Sequence, residues 1–390
     1  MTDPLTRERI GRLRLALSNA PFDAFLAVSA ANILDATGYR SMGASVFGQP
    51  TMGAFVTGDR TVVAAPVADA APATAEAIEA DDFVPYGRFF FESASDLPAA
   101  FTPDLHGGIV EAMTAAAKTA GLTRATIGVD EVALNPNVLA QLSLALPAVR
   151  FVDASGWAVR TRSRKLPAEL ELLERACHLA EDGIAAAIDA AEVGMNEIEL
   201  ATVVNGVITS GGGEPRFTVV SSGPRSAFAD VFPTARKIAA GDLLRFDVGC
   251  IVQGYWSDIG RTAVIGAPND LQAKRYQAIR DGEEQQLAAV KAGVTAAEMF
   301  QLAVDTVEAN GLAPYRRQHC GHGIGMDVYE APVINGTTDR ELEAGMTFCF
   351  ETPYYEVGWG GMMVEDTLVV TAEGHRRFTR TDRELRVVPV

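Results

Sequence analysis

The sequence predicts an α/β (α+β) protein in two parts, an α/β domain over residues 1–160 and a second domain over residues 161–390. Three observations carry that expectation. Short apolar strand-like runs alternate with helix-period stretches through the N-terminal part. A unit of helix, glycine, helix occurs twice in the C-terminal part. Between the two lies a basic segment ended by proline, Arg160-Thr161-Arg162-Ser163-Arg164-Lys165-Leu166-Pro167, read here as the domain joint. A chain of 390 residues is long for one core and comfortable for two.

In chain order, Arg7–Ala20 has charged and apolar residues at helical spacing and stops before Pro21. Ala24–Val28 reads as a buried strand. Gly53–Val56 and Thr61–Ala65 read as a hairpin turned at Gly58-Asp59. Helices are expected near Ala68–Ala80 and Gly108–Ala120, a strand at Thr126–Val129, a short helix over Asn137–Ala145 and a last strand at Val149–Asp153. This domain holds no metal-like cluster in sequence, and its His106 is expected on the surface.

The second part opens with a long helix, Ala168–Ala190, whose apolar face includes Leu170, Leu173, Ala176, Leu179 and Ala180. Gly194 follows and a second helix begins near Glu197. Asp270–Ala292 and Thr295–Asn310 repeat the pattern around Gly293. Each unit is associated with strand-like sequence. Such an internal duplication fits a pseudo-twofold α/β barrel with its site on the axis, although periodicity alone supports only α/β with a mixed sheet.

Composition excludes several function classes. A formal charge of −17 without a Lys/Arg-rich run argues against nucleic acid as the main partner. No stretch approaches the roughly 18 continuous apolar residues of a membrane span. The charged start, Met1–Arg9, lacks the apolar core of a secretory signal, so a cytoplasmic location is expected. Cys177, Cys250, Cys320 and Cys349 form no CxxC pair and suit a reducing compartment. Cys250 and Cys320 lie near acidic candidates in sequence, but soft thiolates suit a carboxylate-rich set poorly.

The chemistry centres on Leu243–Gly249 and Tyr255–Thr262, where Asp247 and Asp258 stand in two strand-like stretches joined by a tight glycine turn. With the turn at Val252-Gln253 the aspartates are directly opposite; with it at Gln253-Gly254 they are diagonal neighbours. Both registers put the carboxylates on one face. Two like charges held that close call for a proton or a cation between them. Three further oxygen and nitrogen donors follow: His322 in Gly321-His322-Gly323-Ile324-Gly325, Glu351 in Phe350-Glu351-Thr352-Pro353, and Glu365 in Val364-Glu365-Asp366-Thr367. Such a set suits manganese, iron, cobalt or zinc and is poor for copper.

The order Asp, Asp, His, Glu, Glu, with these neighbours, resembles the pita-bread metallopeptidases: Xaa-Pro aminopeptidase, prolidase and methionine aminopeptidase. The resemblance runs from about Leu166 to the C-terminus. The phrase Ala30-Ala31-Asn32-Ile33-Leu34 with Thr37-Gly38-Tyr39 extends it more loosely into a creatinase-like N-terminal domain. It implies a pita-bread catalytic domain holding two divalent ions, manganese first, with zinc, cobalt or iron as alternatives. It also implies that Asp258 and Glu365 bridge the ions, that Asp247 and the pair His322 and Glu351 serve one ion each, and that Glu351 handles the proton of the attacking water. The activity implied is hydrolysis of a C–N amide bond in Xaa-Pro dipeptides or similar short peptides. The alternative is a hydrolase or lyase of a small zwitterionic non-peptide, as in creatinase or the pita-bread dimethylsulfoniopropionate lyase. A metal-free binding domain is a third possibility, disfavoured by the retained ligands.

Departures from the family pattern point to a specialised substrate. Asp230 and Tyr329 stand where relatives carry histidines, Met363 where prolidases often carry arginine, and Gln318 with His319 where a single histidine is common. Tyr329 is either an oxyanion donor or a core tyrosine. Asp230 either receives a cationic amine or caps a loop, and His319 is either catalytic or structural. In relatives, a neighbouring subunit's N-terminal domain leans over the catalytic face, so a homodimer is expected. Tyr86-Gly87-Arg88-Phe89-Phe90-Phe91 is the candidate contact. If this run is a strand, Phe89 and Phe91 face the core and Phe90 a second surface.

Overall fold

The computed structural model describes residues 3–47, 50–75, 82–92 and 107–390. The chain divides into two compact units, Met1–Arg162 and Ser163–Val390. His106 and residues 76–80 of an expected helix lie outside the described residues.

The first unit runs α1 (Pro4–Leu17), β1 (Ala24–Ala27), α2 (Ala30–Thr37), α3 (Met42–Phe47), β2 (Gly53–Val56), β3 (Thr61–Pro66), α4 (Val67–Ala75), β4 (Asp82–Tyr86), α5 (Ile109–Thr119), β5 (Thr126–Val129), α6 (Pro136–Ala145), β6 (Arg150–Asp153) and α7 (Ser155–Ser163). Its six strands form one mixed sheet, order β4-β3-β2-β1-β5-β6. Because side chains alternate across a strand, β1 feeds two cores. Ala24 and Leu26 pack with Met113 and Leu142 on one face, and Phe25 and Ala27 pack with Leu13 and Ile33 on the other. Ser29 caps α2 by accepting from the Asn32 N–H at 3.2 Å, as expected of a serine N-cap.

The units divide within the expected joint, whose residues Arg160–Ser163 finish α7; there Arg162 is buried and its Nε donates to Asn32 Oδ1 at 3.3 Å. The aromatic run is not a strand. The strand β4 ends at Tyr86 because Gly87, at φ 75°, turns the chain. Phe89 and Phe91 then stack on each other, ring centroids 4.9 Å apart, with Phe89 46% and Phe90 71% exposed.

The second unit is built on the expected repeat. The helices α8 (Pro167–Ala190) and α9 (Glu197–Ser210) lead to β7 (Glu214–Ser222), β8 (Leu243–Val252), β9 (Tyr255–Trp256) and β10 (Ile259–Ile265). The helices α10 (Asp270–Ala289) and α11 (Ala296–Val307) lead to β11 (Gly321–Gly323), β12 (Glu330–Val333), β13 (Thr347–Glu351), β14 (Tyr354–Glu356), β15 (Gly360–Met362), β16 (Glu365–Val370), β17 (His375–Arg377) and β18 (Arg386–Val388). The two halves match in detail. Gly194 and Gly293 adopt φ 93° and 92°. Asn196 with Glu199 and Thr295 with Glu298 each make a capping box. Met195 accepts from the Ile238 N–H as Val294 accepts from the Leu342 N–H.

The main sheet runs β12-β11-β13-β16-β10-β8-β7, so the halves meet where β10 pairs with β16, antiparallel, Gly260 opposite Glu365. The β8–β9 turn is Gln253-Gly254, φ 48° and 93°, both in the left-handed region that a two-residue hairpin needs. Asp247 therefore pairs with Gly260, and Asp258, two residues earlier, is its diagonal neighbour. Of the two registers open to the sequence, the fold takes the second.

Candidate metal centre

The strands at the junction of the two halves deliver acidic side chains into one cavity of about 550 Å³. Asp247 comes from the middle of β8 and Asp258 from the residue before β10. Glu365 opens β16 and Glu351 closes β13, directly opposite each other in register. His322 sits on β11, paired with Cys349 of β13. All five expected ligands line this cavity, as do Asp230, His319 and Tyr329.

The electrostatics are those of a site built around a cation. Burial pushes the Asp247 carboxyl up to about 8, with the neighbouring Asp258 adding to the shift. Glu365 is held well above the ordinary carboxylate range by burial, then by Asp258, Glu351 and Asp247. Asp258 is raised by burial despite the imidazole of His322. Glu351 is the exception: burial would raise it, but His319 and Arg317 hold it low. Burial would lower His322, yet the Asp258 carboxylate outweighs it and holds the imidazole above its usual value.

At the cavity, Arg317 Nε, His319 Nδ1, His322 Nε2 and Glu365 Oε2 are buried without a hydrogen bond. His322 Nε2 lies 3.4 Å from Asp258 Oδ2 without hydrogen-bond geometry, while its Nδ1 is 3.0 Å from the Gly323 carbonyl. Buried polar atoms are seldom orphaned without reason. An imidazole nitrogen and carboxylate oxygens facing one point are the donor set of a borderline divalent cation, so the residues present fit such an ion. Asp258, His322, Cys349 and Glu365 each offer a ligand atom, all within 4.8 Å of one another.

The remaining candidates resolve in position. Tyr329 is half exposed, and its ring stacks on His322 at 3.6 Å between centroids and 18° between planes, so it is not a core tyrosine. His319 Nδ1 lies 2.9 Å from Glu351 Oε1. Asp230 is exposed at the cavity rim and makes no loop-capping hydrogen bond among the described residues. Its loop is pinned from beneath by Arg245, fully buried, which donates to the carbonyls of Ser226, Phe228 and Ala229 and lies 3.3 Å from Asp247.

Arg245, Arg317 and Cys349 were missed by sequence reasoning. Arg245 and Cys349 each stand two residues before a candidate ligand on the same strand, so period two would have placed them on the site face. Arg317, 3.5 Å from Glu351, lies in a loop and gave no periodic signal.

Fold and site together define a buried cluster of carboxylates and an imidazole, able to hold a metal ion, on a duplicated pita-bread domain. Residues 171–372 match the model of metallopeptidase family M24, and residues 9–164 that of the creatinase/prolidase N-terminal domain. The first match covers more than half of the chain, which belongs to metallopeptidase family M24. An Xaa-Pro dipeptidase of Pyrococcus furiosus is 34% identical over 223 residues, 57% of this chain and 64% of that protein. The chain thus matches just under two thirds of the length of such relatives. Among solved structures, the X-Pro aminopeptidase from Thermotoga maritima superposes with a TM-score of 0.82 at 22% identity, covering 97% of this chain and 99% of that one. Dipeptidase PepE from Mycobacterium ulcerans superposes with 0.81 at 26% identity, covering 99% and 98%. The first likeness shows the fold.

Proposed function

We propose that the chain is a dinuclear-metal-dependent hydrolase of a C–N amide bond, acting on short Xaa-Pro peptides with a specialised preference. The observation that carries this reading is the single cavity that collects Asp247, Asp258, His322, Glu351 and Glu365 and leaves His322 Nε2 and Glu365 Oε2 unpartnered. In this reading Asp258 and Glu365 serve both ions, Asp247 serves one, and His322 with Glu351 the other. Manganese is the first candidate, with zinc, cobalt or iron as alternatives.

Divalent ions held there would supply Lewis acidity toward a carbonyl oxygen and toward water. The chain's own groups do the rest. Glu351, kept ionised by His319 and Arg317, takes a proton from the attacking water at a carboxylate oxygen. His319, beside it, relays that proton toward the leaving nitrogen. The Tyr329 hydroxyl donates to the oxygen that gains charge. Asp230 at the rim receives a cationic amine. The cavity volume suits a short peptide. A cytoplasmic location accords with four buried, unpaired cysteines, and no helix among the described residues is long and apolar enough to cross a membrane. A homodimer contacting through the exposed Phe90 region completes the reading.

The test is a substrate panel on protein stripped of metal and reloaded with Mn2+: Xaa-Pro dipeptides, longer Xaa-Pro peptides and small zwitterionic non-peptides. Chelator-sensitive hydrolysis of the Xaa-Pro substrates is expected. Turnover confined to the non-peptides would move the assignment to the alternative hydrolase or lyase, and failure to bind metal would refute both.

A further inference from the structure

The strand β13 alternates strictly. Phe348 and Phe350 enter the apolar core with Leu368 and Val370, and Thr347, Cys349 and Glu351 take the opposite face. Glu351 on that face lines the cavity, and Cys349 is fully buried behind the lining. Cys349 pairs across the sheet with His322 on one side and Thr367 on the other. Its Sγ lies 3.7 Å from the Asp258 carbonyl oxygen and 3.4 Å from Thr367 Oγ1. Among the described residues, no other cysteine joins a group of potential metal ligands.

We propose that Cys349 is a ligand for thiophilic divalent cations, completing a mixed sulfur, nitrogen and oxygen set with Asp258, His322 and Glu365. The proposal rests on the reading of this cavity as a metal centre and goes beyond its five oxygen and nitrogen ligands. Two observations point the same way: the four ligand atoms lie within 4.8 Å of one another, and two of the partners, His322 and Glu365, are buried and each has a polar atom with no hydrogen bond. In a tetrahedral site with bonds of about 2.0–2.3 Å, ligand atoms stand about 3.3–3.8 Å apart. Shifts of about 1 Å therefore close the shell, within reach of side-chain rotation alone. Ligation breaks the S–H bond, the sulfur keeps the electron pair, and the proton leaves to solvent.

The consequence is a centre of two characters. The Asp247 side presents only carboxylate oxygen and favours hard ions such as Mn2+. The Cys349 side presents sulfur and favours Zn2+, Cd2+ or Co2+. Sulfur ligation at this place makes the protein bind thiophilic ions in a geometry different from that of Mn2+.

The experiment is a Co2+ titration of the metal-stripped full chain, followed by absorption. Visible d–d bands report that cobalt is bound, and a near-ultraviolet thiolate-to-cobalt charge-transfer band reports sulfur ligation. Wild type is expected to show both. Cys349→Ser, which keeps a hydroxyl able to donate to the Asp258 carbonyl, is expected to keep the d–d bands and lose the charge-transfer band. The same variant should bind Cd2+ at least about tenfold more weakly and Mn2+ within about twofold of wild type. Wild-type d–d bands without a charge-transfer band would overturn the proposal and leave the metal centre standing. Absence of both bands would overturn the metal centre itself and this proposal with it.

Discussion

Glu365 and Asp366 are neighbours on β16 that point to opposite faces of the sheet, and their surroundings are opposites. Behind the sheet, Asp366 is met by Arg261 at 2.6 Å, Arg383 at 3.1 Å and Arg377 at 3.2 Å. Burial would raise its carboxyl, but Arg261 and Arg377 hold it at about 2. The helices α8 and α10 add Glu181, 3.9 Å from Arg261, and Glu283, 3.6 Å from Arg383, to this layer. Arg261 also donates to the Glu365 carbonyl at 2.6 Å and so fixes the strand that carries the site. In front, Asp247 and Glu351 each approach one arginine, at 3.3 and 3.5 Å, while Asp258 and Glu365 between them have only His322. The back layer is charge-paired by the chain's own arginines, although both Glu283 oxygens, Arg261 Nε and Arg383 Nε make no hydrogen bond. The front has fewer cationic partners of its own and, in the proposed function, would be completed by cations from outside.

The sharpest way to break this comparison is to neutralise one carboxylate on each face. Asp366→Asn should destabilise the fold by about 3–5 kcal/mol, because it removes the carboxylate shared by three arginines from a buried ion-pair network, and should do so with or without metal. Glu365→Gln should instead abolish metal binding while leaving the metal-stripped protein at least as stable as wild type, since it relieves like charges. Denaturant midpoints with and without Mn2+ measure both. Equal losses from the two variants would show that the faces do not differ.

Glu351→Gln tests the catalytic side of the front. The fold and part of the metal should remain, and turnover should fall at least about a hundredfold, the scale of losing a general base. Turnover within about twofold of wild type would make Glu351 a spectator.

A smaller effect is expected in pH. In metal-stripped protein, Asp247 and Glu365 have folded pKa values above their unfolded ones, so the folded state binds more protons across that interval. Their contribution to stability is full below the ordinary carboxylate value of about 4 and is lost as pH rises through about 8 for Asp247. Thermal midpoints of chelated protein should therefore drift down from mildly acidic to neutral pH, and Mn2+ should flatten the drift. A rising midpoint would contradict the crowding of charge in front.

The smallest effect on the metal centre should come from Phe90→Asp, remote from the sheet in sequence. Metal content should be unchanged while sedimentation shifts toward monomer and the Michaelis constant changes. A variant with unaltered sedimentation, or a monomeric wild type, would remove Phe90 from any contact.

The front of the sheet was far more readable in sequence than the back. Asp247, Asp258, His322 and Glu365 stand in local phrases with glycine or β-branched neighbours, and Glu351 in Phe350-Glu351-Thr352-Pro353, so each is legible from its immediate neighbours. The repeat was equally plain, because Gly194 and Gly293 follow long helical periods. The arginine layer was not readable: Arg261 and Asp366 are paired across the sheet from distant parts of the chain, and neither has a local signature. Phe89–Phe91 misled because composition favours a strand, whereas Gly87 ends one. Tyr329 was open between core and site because sequence does not say which face of a loop a ring takes; its stacking on His322 decides it.

The most direct test of the proposal that external cations complete the front face is elemental analysis of purified wild type and Asp258→Ala after equilibrium dialysis against Mn2+, with turnover measured on the same samples. Up to two ions per chain are expected in wild type. In the variant, metal and turnover should be lost together, as the proposal that one shared carboxylate serves both ions requires. Full occupancy and full turnover in Asp258→Ala would contradict the account.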